Sequence, residues 1–188
     1  MHKHLDLADT APDWRISNWL NTARPLQLGD LRGQIVLLHA FQMLCPGCVS
    51  HGLPQALRVQ EAFAGRGVQV IGLHSVFEHH AAMTETSLRA FVQEYRLDFP
   101  IGIDAPVSGS PIPATMAAYG LQGTPSLLLI DRSGRRRLQH FGRLDDLRLG
   151  ALLGQLLQEA SAPDLSASRG TQTPAGCDQT ACPLQTAG

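Results

Sequence analysis

The 188-residue chain is short of several things at once. Its net charge is only −1, so no electrostatic case exists for nucleic acid or a membrane surface as partner. Of its 15 basic residues only Lys3 is lysine, a bias of composition rather than of function. No stretch is long enough for a membrane span. Residues 1–20 are polar, are broken by Pro12, and lack the apolar core of an export signal. These absences lead to an expectation of a cytoplasmic protein. Cysteine is also sparse, four residues in two close pairs, Cys45/Cys48 and Cys177/Cys182. In a reducing compartment such pairs are transient and catalytic more often than structural.

What is present is organised around Phe41-Gln42-Met43-Leu44-Cys45-Pro46-Gly47-Cys48. An apolar run, residues 35–41, reads as a strand buried on both faces. Residues 49–64 read as a helix, kinked by the internal Pro54. Strand, Cys-x-x-Cys, helix is the arrangement a dithiol redox centre needs. Pro46 suits a first helical turn, where its missing N–H costs nothing. Cys45 then lies at the helix mouth, where free backbone N–H groups and the dipole favour a thiolate and lower thiol pKa values to ~3.5–7.5. Cys45 is the expected nucleophile. Cys48, one turn further in, is the expected resolving thiol.

The remaining chain reads as alternating strands and helices. Residues 11–19 hold a short edge strand, 21–25 a turn, and 28–33 a loop or single helical turn. Residues 68–74 form a second central strand. Leu88, Phe91, Val92 and Tyr95 mark an amphipathic helix. Residues 99–103 form a short strand, 105–113 a loop, and 114–119 a brief helix. Gly123-Thr124-Pro125 precedes a hairpin, 126–131 and 135–141, turning at Asp131–Gly134. A last helix opens at Asp145 and Asp146 and buries Leu149, Leu152, Leu153 and Leu156. The fold class is α/β: a three-layer sandwich with a central mixed β-sheet flanked by helices. One domain covers residues 1–160. Residues 161–188, rich in small and polar types, read as a flexible tail carrying the second cysteine pair.

The Asp30–Val36 segment, Cys45-Pro46-Gly47-Cys48, Phe99-Pro100 leading to Asp104, and Gly123-Thr124-Pro125 running into Leu129–Gly134 together resemble the thioredoxin-fold redoxins. The match is to the TlpA-like thiol–disulfide oxidoreductase branch, near the alkyl hydroperoxide reductase/thiol-specific antioxidant group, over roughly residues 11 to 158. The resemblance implies a cis Pro125 facing the dithiol and, with Thr124, shaping a substrate groove. It implies no cofactor, a protein or small-molecule disulfide or dithiol as substrate, and an upstream thiol reductant. The chain departs from the pattern at Leu44, where relatives commonly have tryptophan. It also has no carboxylate between Gln42 and Gln60. His39 falls where thioredoxin keeps a buried acid, and His51 where some TlpA-like proteins keep a glutamate; both are candidate proton acceptors, with a satisfied core His39 and a merely exposed His51 as the plainer readings. Exported or anchored relatives are the rule in that branch, unlike the cytoplasmic placement read here.

Three alternatives stay open. Thr-Pro-Gly-Cys is a peroxidatic pattern in one peroxiredoxin branch, and Cys45-Pro46-Gly47-Cys48 differs from it only at the first residue, so Cys48 could attack peroxide. The dithiol could instead carry copper or zinc, with His51 or the His74, Glu78, His79, His80 group as further ligands; a polar loop is the plainer reading of that group, and no metal site is assigned. His2, His4 and His140 read as solvated. Finally, Cys177 and Cys182 could relay electrons to the main dithiol, clip a metal, or stand idle.

Overall fold

A computed structural model describes residues 9–159. His2, His4, the 161–188 tail and its Cys177/Cys182 pair lie outside the described residues. Among the described residues the strands form one six-stranded sheet in the order β1-β4-β3-β2-β5-β6. These strands are β1 (Ile16–Leu20), β2 (Ile35–Phe41), β3 (Val68–His74), β4 (Ile101–Asp104), β5 (Ser126–Ile130) and β6 (Arg136–Phe141). β2 pairs parallel with β3, and β3 with β4, while β1, β5 and β6 join antiparallel. The helices are α1 (Leu53–Phe63), α2 (Glu85–Glu94), α3 (Ala114–Ala118) and α4 (Asp146–Gln158).

Every residue of β2 is buried, because the sheet is covered on both faces. Alternation along the strand divides its side chains between two cores. Ile35, Leu37 and Phe41 pack with Leu53 and Ala56 of α1, Leu88 and Val92 of α2, and Leu149 and Leu153 of α4. Val36, Leu38 and Ala40 pack on the other face with Trp14, Leu28, Leu31, Met116 and Tyr119. The three layers expected from the sequence are present.

Local chemistry sets the element ends. The Thr84 hydroxyl caps α2 by accepting from Ser87 N–H, and the Asp145 carboxylate caps α4 by accepting from Leu147 and Arg148 N–H. At the β5–β6 turn, Asp131 Oδ1 accepts from the Ser133 and Arg135 backbone, and Gly134 takes a positive φ of 81°. The expected edge strand occupies the end of its sequence range and one residue beyond, at Ile16–Leu20. The short strand runs Ile101–Asp104 rather than 99–103. Ahead of β1, Thr10 bridges Arg135 at the opposite margin of the sheet, so the chain crosses one face before joining the other edge.

The helix after the dithiol differs from a simple kinked helix. Helical backbone begins at Pro46, and a π turn spans Cys48–Gly52 before α1 continues. Leu53 N–H reaches back five residues to the Cys48 carbonyl. Pro54 has no N–H to give the Ser50 carbonyl, and its ring would crowd that oxygen in a regular helix. Widening the turn before Pro54 takes up this misfit, so the disturbance expected from Pro54 as a kink takes the form of a π bulge.

Candidate active site

β2 ends at Phe41 and delivers the dithiol to the C-terminal edge of the sheet. Cys45 is half-buried and Cys48 is fully buried. The Cys48 N–H donates to Cys45 Sγ at 3.2 Å, the contact expected of a sulfur at a helix mouth. On its other side Cys45 Sγ lies 3.5 Å from the Thr124 carbonyl, a distance at which the thiol form can donate. Burial pushes the Cys48 thiol up to about 12, and the thiol's bond to Cys45 adds to this. The two sulfurs are thus unequal: one reachable at the helix mouth, the other sealed and held protonated.

The Thr124–Pro125 bond is cis. The Pro125 ring lies against the dithiol turn, for a β-carbon built on Gly47 would be 3.2 Å from Pro125 Cδ. The rim is apolar: Leu44 is 58% exposed and Phe141 54%. The Phe141 ring lies over Gly123, where a β-carbon would come within 3.0 Å of it. The sequence marked Leu44 as a departure from the family pattern but gave no sign of Phe141, whose place depends on the antiparallel register Ser126↔Phe141.

The two candidate histidines fall in different settings. His39 is 1% exposed, on the α1 face of β2, and neither ring nitrogen has a protein partner. Burial pushes it down to about 4, so it is neutral at neutral pH. Its ring lies beneath Gly52, inside the π turn, and borders a crevice of about 50 Å³ that Pro125, His51, Arg58 and Arg143 also line. The plain expectation of a satisfied core histidine therefore does not hold. His51 is exposed, and its Nδ1 lies 2.6 Å from Ser50 Oγ. No hydrogen bond among those of the described residues joins either histidine to a cysteine.

The sequence reading gave Gln42 no role. It is 1% exposed, and its carboxamide reaches three partners: Thr124 Oγ1, Glu78 Oε1 and the Phe77 N–H, each at 3.4 Å. A polar residue closing an otherwise apolar strand was the signal available. Of the residues weighed for metal, His74 is buried and likewise pushed down to about 4, while Glu78, His79 and His80 are exposed. Among the described residues no group of three or more His, Cys, Asp or Glu is placed to hold a metal ion.

A dithiol at a helix mouth, walled by a cis-proline loop on a mixed sheet, defines a thioredoxin-like redox domain. The chain belongs to the AhpC/TSA family, which it matches over residues 7–137. Among solved structures, it is similar to a thioredoxin-like superfamily protein (54% identity, TM-score 0.79, covering 81% of this chain and 98% of that one). It is also similar to a thiol-disulfide isomerase from Corynebacterium glutamicum (49% identity, TM-score 0.78, covering 83% and 100%). Protein DipZ of Mycobacterium tuberculosis is 30% identical over 159 residues, which are 83% of this chain. The chain spans only 22% of the length of DipZ.

Proposed function

We propose that this protein exchanges thiols and disulfides with a partner through Cys45 and Cys48. The observation that carries the reading is the inequality of the two sulfurs. Cys45 attacks a partner disulfide as the thiolate, forming a mixed disulfide and releasing the partner's other sulfur as thiolate. Cys48 then gives up its proton and attacks Cys45 Sγ, so Cys45–Cys48 becomes the disulfide and the partner leaves reduced. An upstream thiol reductant returns the pair to dithiol; run backwards, the same steps oxidise a partner. The likeness to a protein named thiol-disulfide isomerase supports this assignment.

Resolution requires a proton to leave a thiol held near 12. His39 enters the proposal only as an indirect acceptor, because neither ring nitrogen bonds a cysteine and burial pushes the ring down to about 4. One ring nitrogen carries a hydrogen and the other a lone pair, and the crevice beside them offers a way out to solvent. A peroxidatic Cys48 fits poorly: peroxide needs an accessible thiolate, and Cys48 is sealed and protonated. Cytoplasmic placement, with the dithiol kept reduced between turnovers, belongs to the same proposal and is checked by fractionation with rapid thiol alkylation.

The test is trapping. Cys48→Ser, mixed with a disulfide-bonded protein, should accumulate a covalent adduct on Cys45 visible by mass spectrometry, and Cys45→Ser should yield none. An adduct on Cys48 in the Cys45→Ser protein, or none in either, overturns the reading.

A further inference from the structure

The apolar run of β2 stops at Gln42, three residues before the reactive sulfur. A buried carboxamide is costly unless its polar atoms find partners, so its place there calls for a physical reason. Its partners belong to the two segments flanking the dithiol. Nε2 donates to Thr124 Oγ1 and to Glu78 Oε1, and Oε1 accepts from the Phe77 N–H. Thr124 is also the residue whose carbonyl faces Cys45 Sγ. One amide thus ties the cis-proline loop to the loop after β3, and through Thr124 it reaches the nucleophile. Neither near-isosteric replacement makes the same tie: leucine matches the bulk without donors, and glutamate would set a second charge against Glu78.

We propose that Gln42 is a positioning residue for disulfide exchange, fixing the Thr124 carbonyl against Cys45 and holding the Glu78 carboxylate within electrostatic reach of the dithiol. The proposal rests on the exchange reading above. It has a definite electrostatic sense. A carbonyl oxygen beside the sulfur accepts from the thiol but opposes the thiolate, and the negative charge of Glu78 opposes it further. Both effects depend on the amide. Without the tie, Glu78 is an exposed side chain free to turn into solvent, and Thr124, its loop still held by the β2–β5 ladder, can tilt its carbonyl off the Cys45 sulfur.

The experiment is a double-mutant cycle on the full chain, reading the pH dependence of the exchange rate with a small aromatic disulfide. Glu78→Gln should move the midpoint to lower pH by on the order of half a unit, the size expected of one charge acting through a water-like medium from roughly 6–8 Å. Gln42→Leu should also lower it, and Gln42→Glu should raise it. In the Gln42→Leu background, Glu78→Gln should have no further effect, the non-additivity that contact through a shared partner produces. If Gln42→Leu does not fold, Gln42→Asn, which keeps the amide but falls short of both loops, replaces it in the cycle. A Glu78→Gln shift of equal size in both backgrounds overturns the proposal, as does a wild-type pH profile in the Gln42 variant. Exchange by wild type with an additive cycle removes only the role of Gln42; no exchange by wild type removes the reading beneath it.

Discussion

The ring of His39 fills the space into which a side chain at Gly52 would project. A β-carbon on Gly52 would lie 2.3 Å from His39 Cε1 and 2.5 Å from Nε2. The ring cannot easily withdraw, being enclosed and stacked on Phe41 at 6.2 Å with an interplanar angle of 4°. Gly52→Ala should therefore destabilise the domain by about 1–3 kcal/mol, as overpacking does. His39→Ala in the same chain should recover most of the loss. Urea unfolding of the two single variants and the double variant checks this, and a neutral Gly52→Ala would show that the turn yields freely.

Acid should destabilise the protein through the same ring. Burial holds His39 and His74 down to about 4 in the folded state, against about 6.5 when unfolded. Between those values the unfolded chain binds protons that the folded one refuses, so stability falls as pH drops from 6.5 to 4. Each histidine contributes about 1.4 kcal/mol per pH unit at most. Asp104, raised by burial, works in the opposite sense at the acid end. His39→Leu should make the denaturation midpoint less steep in pH across this window, and an unchanged slope would rule out burial of a neutral His39.

Asp104 binds the start of α3 to the end of β3. Its carboxylate accepts from Thr115 N–H at 2.7 Å, Met116 N–H at 2.9 Å and Ser75 Oγ at 2.8 Å. Asp104→Ala leaves three buried donors without acceptors and should cost at least about 3 kcal/mol. Asp104→Asn, which keeps one acceptor oxygen, should cost less. Thermal unfolding distinguishes them, and equal melting temperatures for both variants and wild type would contradict the account.

The exposed Leu44 and Phe141 flank the dithiol and should take up apolar surface of a protein partner. Changing either to serine should raise KM for a protein disulfide about three- to tenfold, the effect of roughly 1 kcal/mol of lost apolar burial. The rate with a small-molecule disulfide should change much less. Equal losses on both substrates would place these side chains outside partner recognition.

The sequence carried the sheet well, because β2, β3 and β5 are apolar runs of strand length bounded by turn residues, and burial on both faces leaves little ambiguity. The dithiol and Thr124–Pro125 were legible as motifs. What stayed hidden depends on registers between distant segments. Pro54 announces a disturbed helix, but only the packing of His39 beneath Gly52 shows why a widened turn suits the site. Gln42 looks like the end of a strand until β5 and the loop after β3 bring Thr124 and Glu78 to it. Phe141 joins the rim only through its pairing with Ser126.

Cys45 hangs from the end of β2, and the Thr124–Pro125 loop from the start of β5, the strand laddered to β2 from Val36↔Ile130 to Ala40↔Ser126. The two sides of the reactive cleft are therefore the jaws of one vice whose screw is the middle of the sheet. They cannot open without tearing the least yielding part of the molecule. Adaptation then falls to the target: cystines on pliant, easily unwound segments should be exchanged faster than those locked inside rigid frameworks, which rates on matched linear and scaffolded cystines would check.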